Sequence, residues 1–142
     1  KINIILFSIL PMDFYTGKEF KIYRKKSGNL IPFSFKKDIP FKPKRIFLVY
    51  GNKGYVRANH SHRKCSQYLI AITGKIEITY QYKNLNSKII LNNKKKMGFL
   101  SKPLTWLKIK FLTNNCILMV FCDMEYKYSD YIVKYKDFLK IK

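Results

Sequence analysis

The sequence contains two histidines, His60 and His62, one residue apart in the stretch VRANHSHRKCSQYLIAITGKIEI, and no others. On a strand, side chains at positions i and i+2 project to the same face, so both imidazoles can reach one cavity. Imidazole takes up and returns protons near neutral pH and is also a common metal ligand. The pair is therefore a candidate for proton transfer or metal binding, with two surface histidines as the plain structural alternative.

A metal site at this pair would need more protein ligands than the sequence offers nearby. Zinc sites use at least three protein ligands, and many non-haem iron sites use two histidines and a carboxylate. The first acidic residue after the pair is Glu77. The other acidic residues that follow the pair lie at or beyond Asp123, in or beside the final segment. Cys65 is close in sequence but is expected in a turn. We therefore expect no metal and favour acid/base chemistry, such as proton abstraction from a carbon next to a carbonyl.

The composition gives a net charge of +21, from 29 lysines and arginines against 8 acidic residues. Only four of these basic residues are arginine, the residue that nucleic-acid readers favour for its bidentate fork. The lysines extend along the whole chain instead of forming one patch, which indicates a compositional bias. We expect no nucleic-acid partner, whereas a small anionic substrate, such as a nucleotide-linked metabolite, suits this charge.

Three cysteines, Cys65, Cys116 and Cys122, form no C-x-x-C pair, which argues against a disulfide framework or a zinc knuckle. A reducing, cytoplasmic location is therefore predicted, with Cys116 and Cys122 buried in an apolar run. The N-terminal run KINIILFSILPM is too short to span a bilayer and lacks a cleavage site, so we predict no membrane association. Residues 1–12 are predicted to be an extension or an edge strand, and residues 13–142 a single domain for which Met12 is a possible start.

Short segments with alternating apolar residues, separated by turns rich in Gly, Asn, Pro and Lys, predict an all-β sandwich or barrel. The predicted strands are Phe20–Arg24, Leu30–Phe35, Lys44–Tyr50, Gln67–Thr73, Lys75–Tyr82, Lys88–Leu91, Gly98–Leu100, Thr105–Phe111 and Cys116–Cys122. The tail EYKYSDYIVKYKDFLKIK differs from these segments. Ser129 is a candidate N-cap there, and apolar residues recur at helical spacing from Ile132 to Leu139, which predicts a C-terminal amphipathic helix on the barrel.

The stretch HSHRKCSQYLIAITG resembles the first signature of the cupin superfamily, H-x-H-x(3,4)-E-x6-G. His60, His62 and Gly74 match, and Gln67 stands in the place of the metal-ligating Glu. In the second signature, Trp106 stands about where a histidine would be. Both departures remove metal ligands. The resemblance implies an RmlC-like cupin jelly-roll β-barrel carrying the C-terminal helix.

Further segments sharpen this resemblance. The R-x-x-H-x-H core, the segment KPLTW and the tail YSDYIVKYKDFLK, in this order, resemble the metal-free cupins that are nucleotide-sugar 3,4-ketoisomerases, the WxcM-like family. The likeness extends over about residues 18–139. It implies a cofactor-free isomerase that moves the ketone of a dTDP-4-keto-6-deoxyhexose from C4 to C3. The product would serve deoxyamino-sugar synthesis for surface glycans, and the enzyme would be a homodimer of the kind that often exchanges strands between subunits.

The resemblance also implies roles for particular residues. His62 is the expected base that moves the C3 proton, His60 its partner at the sugar oxygens, and Arg57 the stabiliser of the enediolate. Tyr50 and Gln67 are candidate substrate-binding residues. Trp106 would wall the sugar or the thymine, or else pack in the core.

Nucleotide binding is the point at which the sequence departs from the family. Relatives commonly carry an arginine before the Gly-x-Leu of the early strand, where this chain has Ser27 in RKKSGNL. Arg24 and Lys26 are candidate replacements as charges, although a lysine makes only a point contact. The nucleotide, the configuration returned at C4 and the glycan served are left open.

Two other classes of function are compatible with the sequence. A nucleotide-sugar 3,5-epimerase begins with the same deprotonation at C3, but it would pair its histidine with an aspartate, and no aspartate lies near His60 and His62 in the sequence. The other is a non-catalytic cupin that binds a carbohydrate or nucleotide.

Overall fold

The computed structural model describes residues 19–95 and 97–141, so the predicted extension over residues 1–12 and the possible start at Met12 lie outside the described residues. The strands are β1 Tyr23–Lys25, β2 Gly28–Leu30, β3 Arg45–Gly51, β4 Val56–His62, β5 Gln67–Thr73, β6 Lys75–Tyr82, β7 Leu85–Asn92, β8 Gly98–Ser101, β9 Thr105–Phe111, β10 Cys116–Cys122 and β11 Tyr131–Ile132. A 3₁₀ turn spans Tyr128–Asp130, and the helix α1 spans Tyr135–Ile141.

Two antiparallel sheets enclose the core. One has the order β3-β10-β5-β8 and the other β11-β4-β9-β6-β7, while β1 and β2 form a separate hairpin. The alternating apolar residues of both sheets meet in one buried cluster, which includes Leu69, Tyr80, Ile109 and Leu118. Consecutive strands repeatedly cross between the two sheets, as in a jelly roll, so the predicted all-β barrel with a C-terminal helix is confirmed.

The predicted strand bounds are confirmed for β5, β6, β9 and β10 and are wrong near the N-terminus. The expected strands Phe20–Arg24 and Leu30–Phe35 are replaced by the short hairpin β1–β2. Its turn is only two residues, Lys26 and Ser27, and Gly28 follows with φ +137°. Since glycine alone adopts such backbone angles readily, the chain reverses earlier than the long polar run KKSGN suggests.

The predicted C-terminal helix exists but begins later than expected. Ser129 lies in the 3₁₀ turn instead of capping the helix, and Ile132 belongs to β11, which pairs with Ser61 and His62 of β4. Ile132, Trp106 and Phe138 form a buried cluster that fixes α1 to the outside of the sheet. The helical spacing from Ile132 to Leu139 therefore combines a strand residue and helix residues that cover the same apolar surface.

Two exposed features border the barrel. Every residue of the β1–β2 hairpin is exposed, including Tyr23 and Leu30. Strand β3 pairs only with β10, so its other edge is unpaired in the described chain, and its outer face exposes Ile46, Leu48 and Tyr50. Among the described residues, no helix has the length and apolarity required to cross a membrane.

Gly74, the glycine of the cupin-like signature, makes the tight turn between β5 and β6 with φ +80°. A Cβ at this position would lie 2.4 Å from Cys116 Sγ and 2.6 Å from Thr113 Oγ1. Gly54 has a similar φ of +89° but open space around it, which makes it a matched control.

We predict that Gly54→Ala lowers the free energy of unfolding by about 1–2 kcal/mol, the cost of the left-handed backbone alone. Gly74→Ala should lower it by at least about 1 kcal/mol more, because the neighbouring side chains must also move. Urea unfolding of both variants measures the difference. Equal losses would contradict the steric contribution.

Candidate active site

Strand β4 contributes three residues to the wall of a cavity in the barrel. The cavity has a volume of about 430 Å³, and residues of β3 and β4 form most of its wall. Arg57 and His60 lie in its wall, as do the predicted substrate-binding residues Tyr50 and Gln67. The rest of the wall consists of Phe47, Leu48, Val49, Ala58, Leu69, Ile109, Val120 and Tyr131. A largely apolar cavity with a few polar groups is typical of a small-molecule site.

His62 is buried beside this cavity and is held by a carboxylate. Its Nδ1 lies 3.0 Å from Oδ2 of Asp130, which is itself only 7% exposed. An ionised carboxylate can only accept, so Nδ1 carries the hydrogen and Nε2 has a free lone pair. Nε2 has no hydrogen-bond partner among the described residues. The imidazole is thus oriented as a base with one open nitrogen.

Asp130 is fixed by the chain that follows the histidine pair. Its Oδ1 accepts from the backbone N–H of Lys64 at 2.8 Å, and its Oδ2 accepts from the N–H of Cys65 at 3.3 Å. Its own carbonyl accepts from the N–H of Arg63 at 2.8 Å. The expectation that no acid lies near the pair is therefore wrong, because β11 returns beside β4 and closes a separation of 68 residues. The only sequence signal was the motif SDY in the tail.

Tyr131, which the sequence reasoning missed as a site residue, contacts both histidines. Its ring centroid lies 4.9 Å from that of His60 and 4.3 Å from that of His62. The two histidine rings are 5.1 Å apart in an edge-to-face arrangement, so the three rings form one cluster. Tyr131 follows Asp130 directly, and its pairing with His62 across β11 and β4 places it on the cavity side.

A half-buried cation supports this cluster through Tyr131. Arg45, at the start of β3, donates to Cys122 Sγ at 3.5 Å and also hydrogen-bonds the Tyr131 side chain. Burial opposes the charge of Arg45, but these two bonds outweigh it and raise its pKa. Gln67 Nε2 donates to the same sulfur at 3.6 Å, so its amide is directed to a thiol and not to the cavity centre.

Hydrogen-bond donors around Cys122 change the pKa of its thiol. A hydrogen bond from Cys65, followed by the bonds from Arg45 and Gln67, lowers the pKa of Cys122 to about 6, although burial acts in the opposite direction. The same bond and burial raise the pKa of Cys65. All three cysteines are free and buried, which confirms the expectation for Cys116 and Cys122.

Both histidines are kept neutral near pH 7. Burial lowers the pKa of His60, and a hydrogen bond to the backbone of Ala58 offsets this only in part. Burial also lowers the pKa of His62 below its usual value, and the charges of His60 and Arg45 act in the same direction. The bond to Asp130 opposes these effects without reversing them. A neutral imidazole at working pH is the form that a general base requires.

Three residues predicted to bind substrate lie elsewhere within the described chain. Trp106 is buried in the cluster under α1, with its ring 5.1 Å from that of Tyr135, and is absent from the cavity wall. This position matches the packing alternative and corrects the expectation that it walls the substrate. Arg24 and Lys26 lie on and beside β1 in the exposed hairpin and do not line the cavity of their own chain.

The side chains around His62 include three that could in principle hold a metal ion. Potential ligand atoms of His62, Cys65 and Asp130 lie within 4.8 Å of one another. However, His62 Nδ1 already pairs with Asp130, and both carboxylate oxygens accept backbone N–H groups. The cupin ligand positions do not fit a metal either, since Gln67 donates its amide to Cys122 and Trp106 packs under the helix. These contacts fit a hydrogen-bonded His–Asp pair.

Comparison with known proteins gives consistent matches. The family model described as "FdtA: WxcM-like, C-terminal" matches residues 14–142. A TDP-4-oxo-6-deoxy-alpha-D-glucose-3,4-oxoisomerase from Aneurinibacillus thermoaerophilus is 29% identical over 122 residues, 85% of this chain and 87% of the relative. The crystal structure of QdtA, a sugar 3,4-ketoisomerase from Thermoanaerobacterium thermosaccharolyticum in complex with TDP, superposes with a TM-score of 0.80 at 32% identity, covering 87% of this chain and 90% of QdtA.

A more distant structure bears on the fold alone. The rmlC epimerase of Mycobacterium tuberculosis superposes with a TM-score of 0.68 at 12% identity, covering 80% of this chain and 64% of the epimerase. The expected RmlC-like cupin fold is thereby confirmed.

The lowered pKa values of the histidines predict a pH dependence of stability. Between the usual histidine pKa of about 6.5 and the lower folded values, the unfolded chain binds more protons than the folded one. The free energy of unfolding should therefore fall as the pH drops below about 6.5, with His62 contributing at most about 1.4 kcal/mol per pH unit.

His62→Asn should reduce this slope, and the histidine contribution that remains belongs to His60. Chemical denaturation at intervals between pH 7.5 and 5.5 measures both slopes. A slope that is unchanged in the variant would show that His62 is not held neutral by the fold.

Proposed function

Because the chain belongs to the WxcM-like, C-terminal (FdtA) family, we propose that it is a dTDP-sugar 3,4-ketoisomerase. It moves the ketone of a dTDP-4-keto-6-deoxyhexose from C4 to C3 without a cofactor. The observation that carries this assignment is the His62 Nε2 atom, which has no hydrogen-bond partner among the described residues, on a neutral base held by Asp130 beside a cavity lined by His60 and Arg57. The ketoisomerase activity of the relatives supports the reaction type.

The reaction needs one base, one returned proton and a stabilised oxyanion. His62 Nε2 removes the C3 proton, which the C4 ketone acidifies, and the electron pair forms a 3,4-enediolate. Asp130 stabilises the resulting imidazolium through Nδ1, as the aspartate does in a catalytic triad. A proton is then delivered to C4 while the C3 hydroxyl loses its own, which leaves the ketone at C3. His60 binds the sugar oxygens or assists the return of the proton.

Charge stabilisation comes from the arginine in the wall. Arg57 lines the cavity with His60, so its guanidinium can face the negative oxygens of the enediolate. Fixed donors at a developing oxyanion are commonly the largest electrostatic contribution to catalysis. Half-buried Arg45 hydrogen-bonds the Tyr131 side chain and adds positive potential to the same ring cluster.

The remainder of the substrate occupies the barrel mouth. A second cavity of about 380 Å³, lined by Tyr50, Tyr55, Arg57 and others, adjoins the first through Tyr50 and Arg57. The deoxysugar lies at the histidines, the diphosphate near Arg57 and the nucleoside toward Tyr55. The 3-keto product would supply an aminotransferase in the cytoplasm, for a deoxyamino sugar of a surface glycan.

A 3,5-epimerase is the second candidate, because the structure removes the main argument against it. Asp130 does pair with His62, and a tyrosine hydroxyl belongs to the same ring cluster. An epimerase would exchange and invert C3 and C5 and keep its ketone at C4. A cupin that only binds the nucleotide sugar would exchange neither proton.

The decisive measurement is NMR of the protein with dTDP-4-keto-6-deoxyglucose in deuterated water. We predict deuterium exchange at C3 and accumulation of the 3-keto sugar. His62→Asn should slow both by about 10²–10⁴-fold, the usual contribution of a general base, while TDP still binds. Asp130→Asn should slow them by about 10²-fold or more, because the amide favours the wrong tautomer of His62.

Glu77→Gln is the matched acid-to-amide control. Glu77 lies 3.4 Å from Lys88 Nζ, away from the cavity, so the variant should keep the wild-type rate. Exchange at C5 with the ketone retained at C4 would favour the epimerase. No exchange with either dTDP- or UDP-linked substrate would reject catalysis on these sugars.

The proposal includes a homodimer. A two-stranded hairpin is marginally stable by itself in water, and β1–β2 exposes all of its residues. The complementary surface is β3, which exposes Ile46 and Leu48 and has one edge without a partner strand among the described residues. Exchange of the hairpin onto β3 of a second copy would cover both surfaces. It would also bring Arg24 and Lys26 toward the neighbour's cavity mouth, where Tyr50 lies.

We predict that the protein sediments as a dimer and that Leu48→Lys, which places a charge on the β3 face, shifts it toward monomer. Val133→Lys is the control, since Val133 is 53% exposed and lies outside this face. Analytical ultracentrifugation over a concentration series measures both variants. A wild-type monomer, or equal dissociation of both variants, would contradict this interface.

A further inference from the structure

Strand β4 contains an irregularity directly before the histidine pair. Ala58 and Asn59 have φ values of +64° and +59°, which makes them consecutive left-handed residues that are not glycine. The pairing with β9 shifts at the same point, where Arg57 lies opposite Ile109 and His60 opposite Leu107. Three steps along β4 thus correspond to two along β9, so β4 carries one extra residue, the definition of a β-bulge.

The bulge changes which side chains share a face. In a regular strand, residues three apart point to opposite faces. Arg57 and His60 are three apart, yet both line the same cavity. Their partners Ile109 and Leu107 are two apart and both buried, as regular alternation requires. The extra residue in β4 is therefore what allows Arg57 and His60 to line one cavity, beside which His62 is buried.

The backbone of the bulge also contacts the site. The His60 side chain hydrogen-bonds the backbone of Ala58, so the left-handed turn fixes the histidine as well as reversing the alternation. Asparagine adopts left-handed angles more readily than most residues, whereas alanine does so rarely. Strained backbone at a functional site persists only when its surroundings hold it.

We propose that the Ala58–Asn59 bulge is a positioning element of the active site, with the specific task of turning Arg57 into the cavity that His60 lines and beside which His62 lies. The histidine end of β4 is held firmly. His62 bonds Asp130, and its carbonyl accepts from the N–H of Leu104 at 2.7 Å. The Arg57 end is exposed. Removal of the extra residue therefore turns Arg57 away and leaves the histidines in place.

Deletion of Asn59 tests this directly. The deletion should weaken TDP binding and lower kcat/KM by the same factor as Arg57→Ala, about 10- to 100-fold for one charge-assisted contact. In a variant that combines the Asn59 deletion with Arg57→Ala, the two losses of TDP affinity and kcat/KM should not multiply, because both changes remove the same arginine from the cavity. Losses that multiply, or a deletion variant that binds TDP like the wild type, would overturn the inference.

Point substitutions keep the test valid if the deletion variant does not fold. Asn59→Val disfavours the left-handed conformation and should reproduce the loss, whereas Asn59→Gly accepts that conformation and should retain function. Lys83→Val is the matched control. Lys83 has φ +51° in the turn between β6 and β7, so valine there should lower stability without changing TDP affinity or kcat/KM. Equal function of Asn59→Val and Asn59→Gly in folded protein would also overturn the inference.

The expected changes in TDP affinity and kcat/KM rest on the proposed function. NMR tests the role of the bulge independently of that function. Nuclear Overhauser contacts in the wild type should place Arg57 opposite Ile109, place His60 opposite Leu107, and join the Arg57 side chain to its neighbours in the cavity wall. The Arg57 side-chain contacts should persist in Asn59→Gly and vanish in the deletion. Wild-type protein that binds no TDP and isomerises no substrate would reject the proposed function, while these contacts would still decide the role of the bulge.

Discussion

The buried hydrogen bond between His62 and Asp130 is the constraint around which the site is organised. It joins β4 to a segment 68 residues later, and it forms only because β11 pairs with the end of β4. The Asp130 carboxylate also accepts hydrogen bonds from the backbone N–H groups of Lys64 and Cys65, and these bonds fix the backbone that follows β4. The orientation of the base and the closure of the barrel beside it are therefore set by the same few atoms.

The site combines neutral bases with fixed positive charge. Burial lowers the pKa of both histidines and favours their neutral form, while Arg57 in the cavity wall and Arg45 beside Tyr131 supply positive charge. In the reaction that we propose, the base that removes a proton from carbon needs the first property, and the enediolate needs the second. The two functions are assigned to different residue types, so neither competes with the other for protonation.

Local patterns predicted most of the barrel, because strand alternation is a short-range property. The bounds of β5, β6, β9 and β10 and the shared direction of His60 and His62 follow from it. Asp130 was missed because its bond to His62 forms only when β11 folds back beside β4, and residue spacing does not predict this long-range pairing. Trp106 was ambiguous for a related reason, since an aromatic residue suits both a cavity wall and the surface beneath α1. The left-handed backbone at Ala58 and Asn59 is not predicted by the pattern of apolar residues.

The late position of β11 has a consequence for the synthesis of the protein. During translation, the two histidines leave the ribosome long before Asp130 and Tyr131, and β3 must wait for its neighbour β10 as well. A nascent chain that stops short of Asp130 therefore has both imidazoles but lacks the carboxylate that orients His62. The site is assembled only after β11 has been synthesised and has paired with β4.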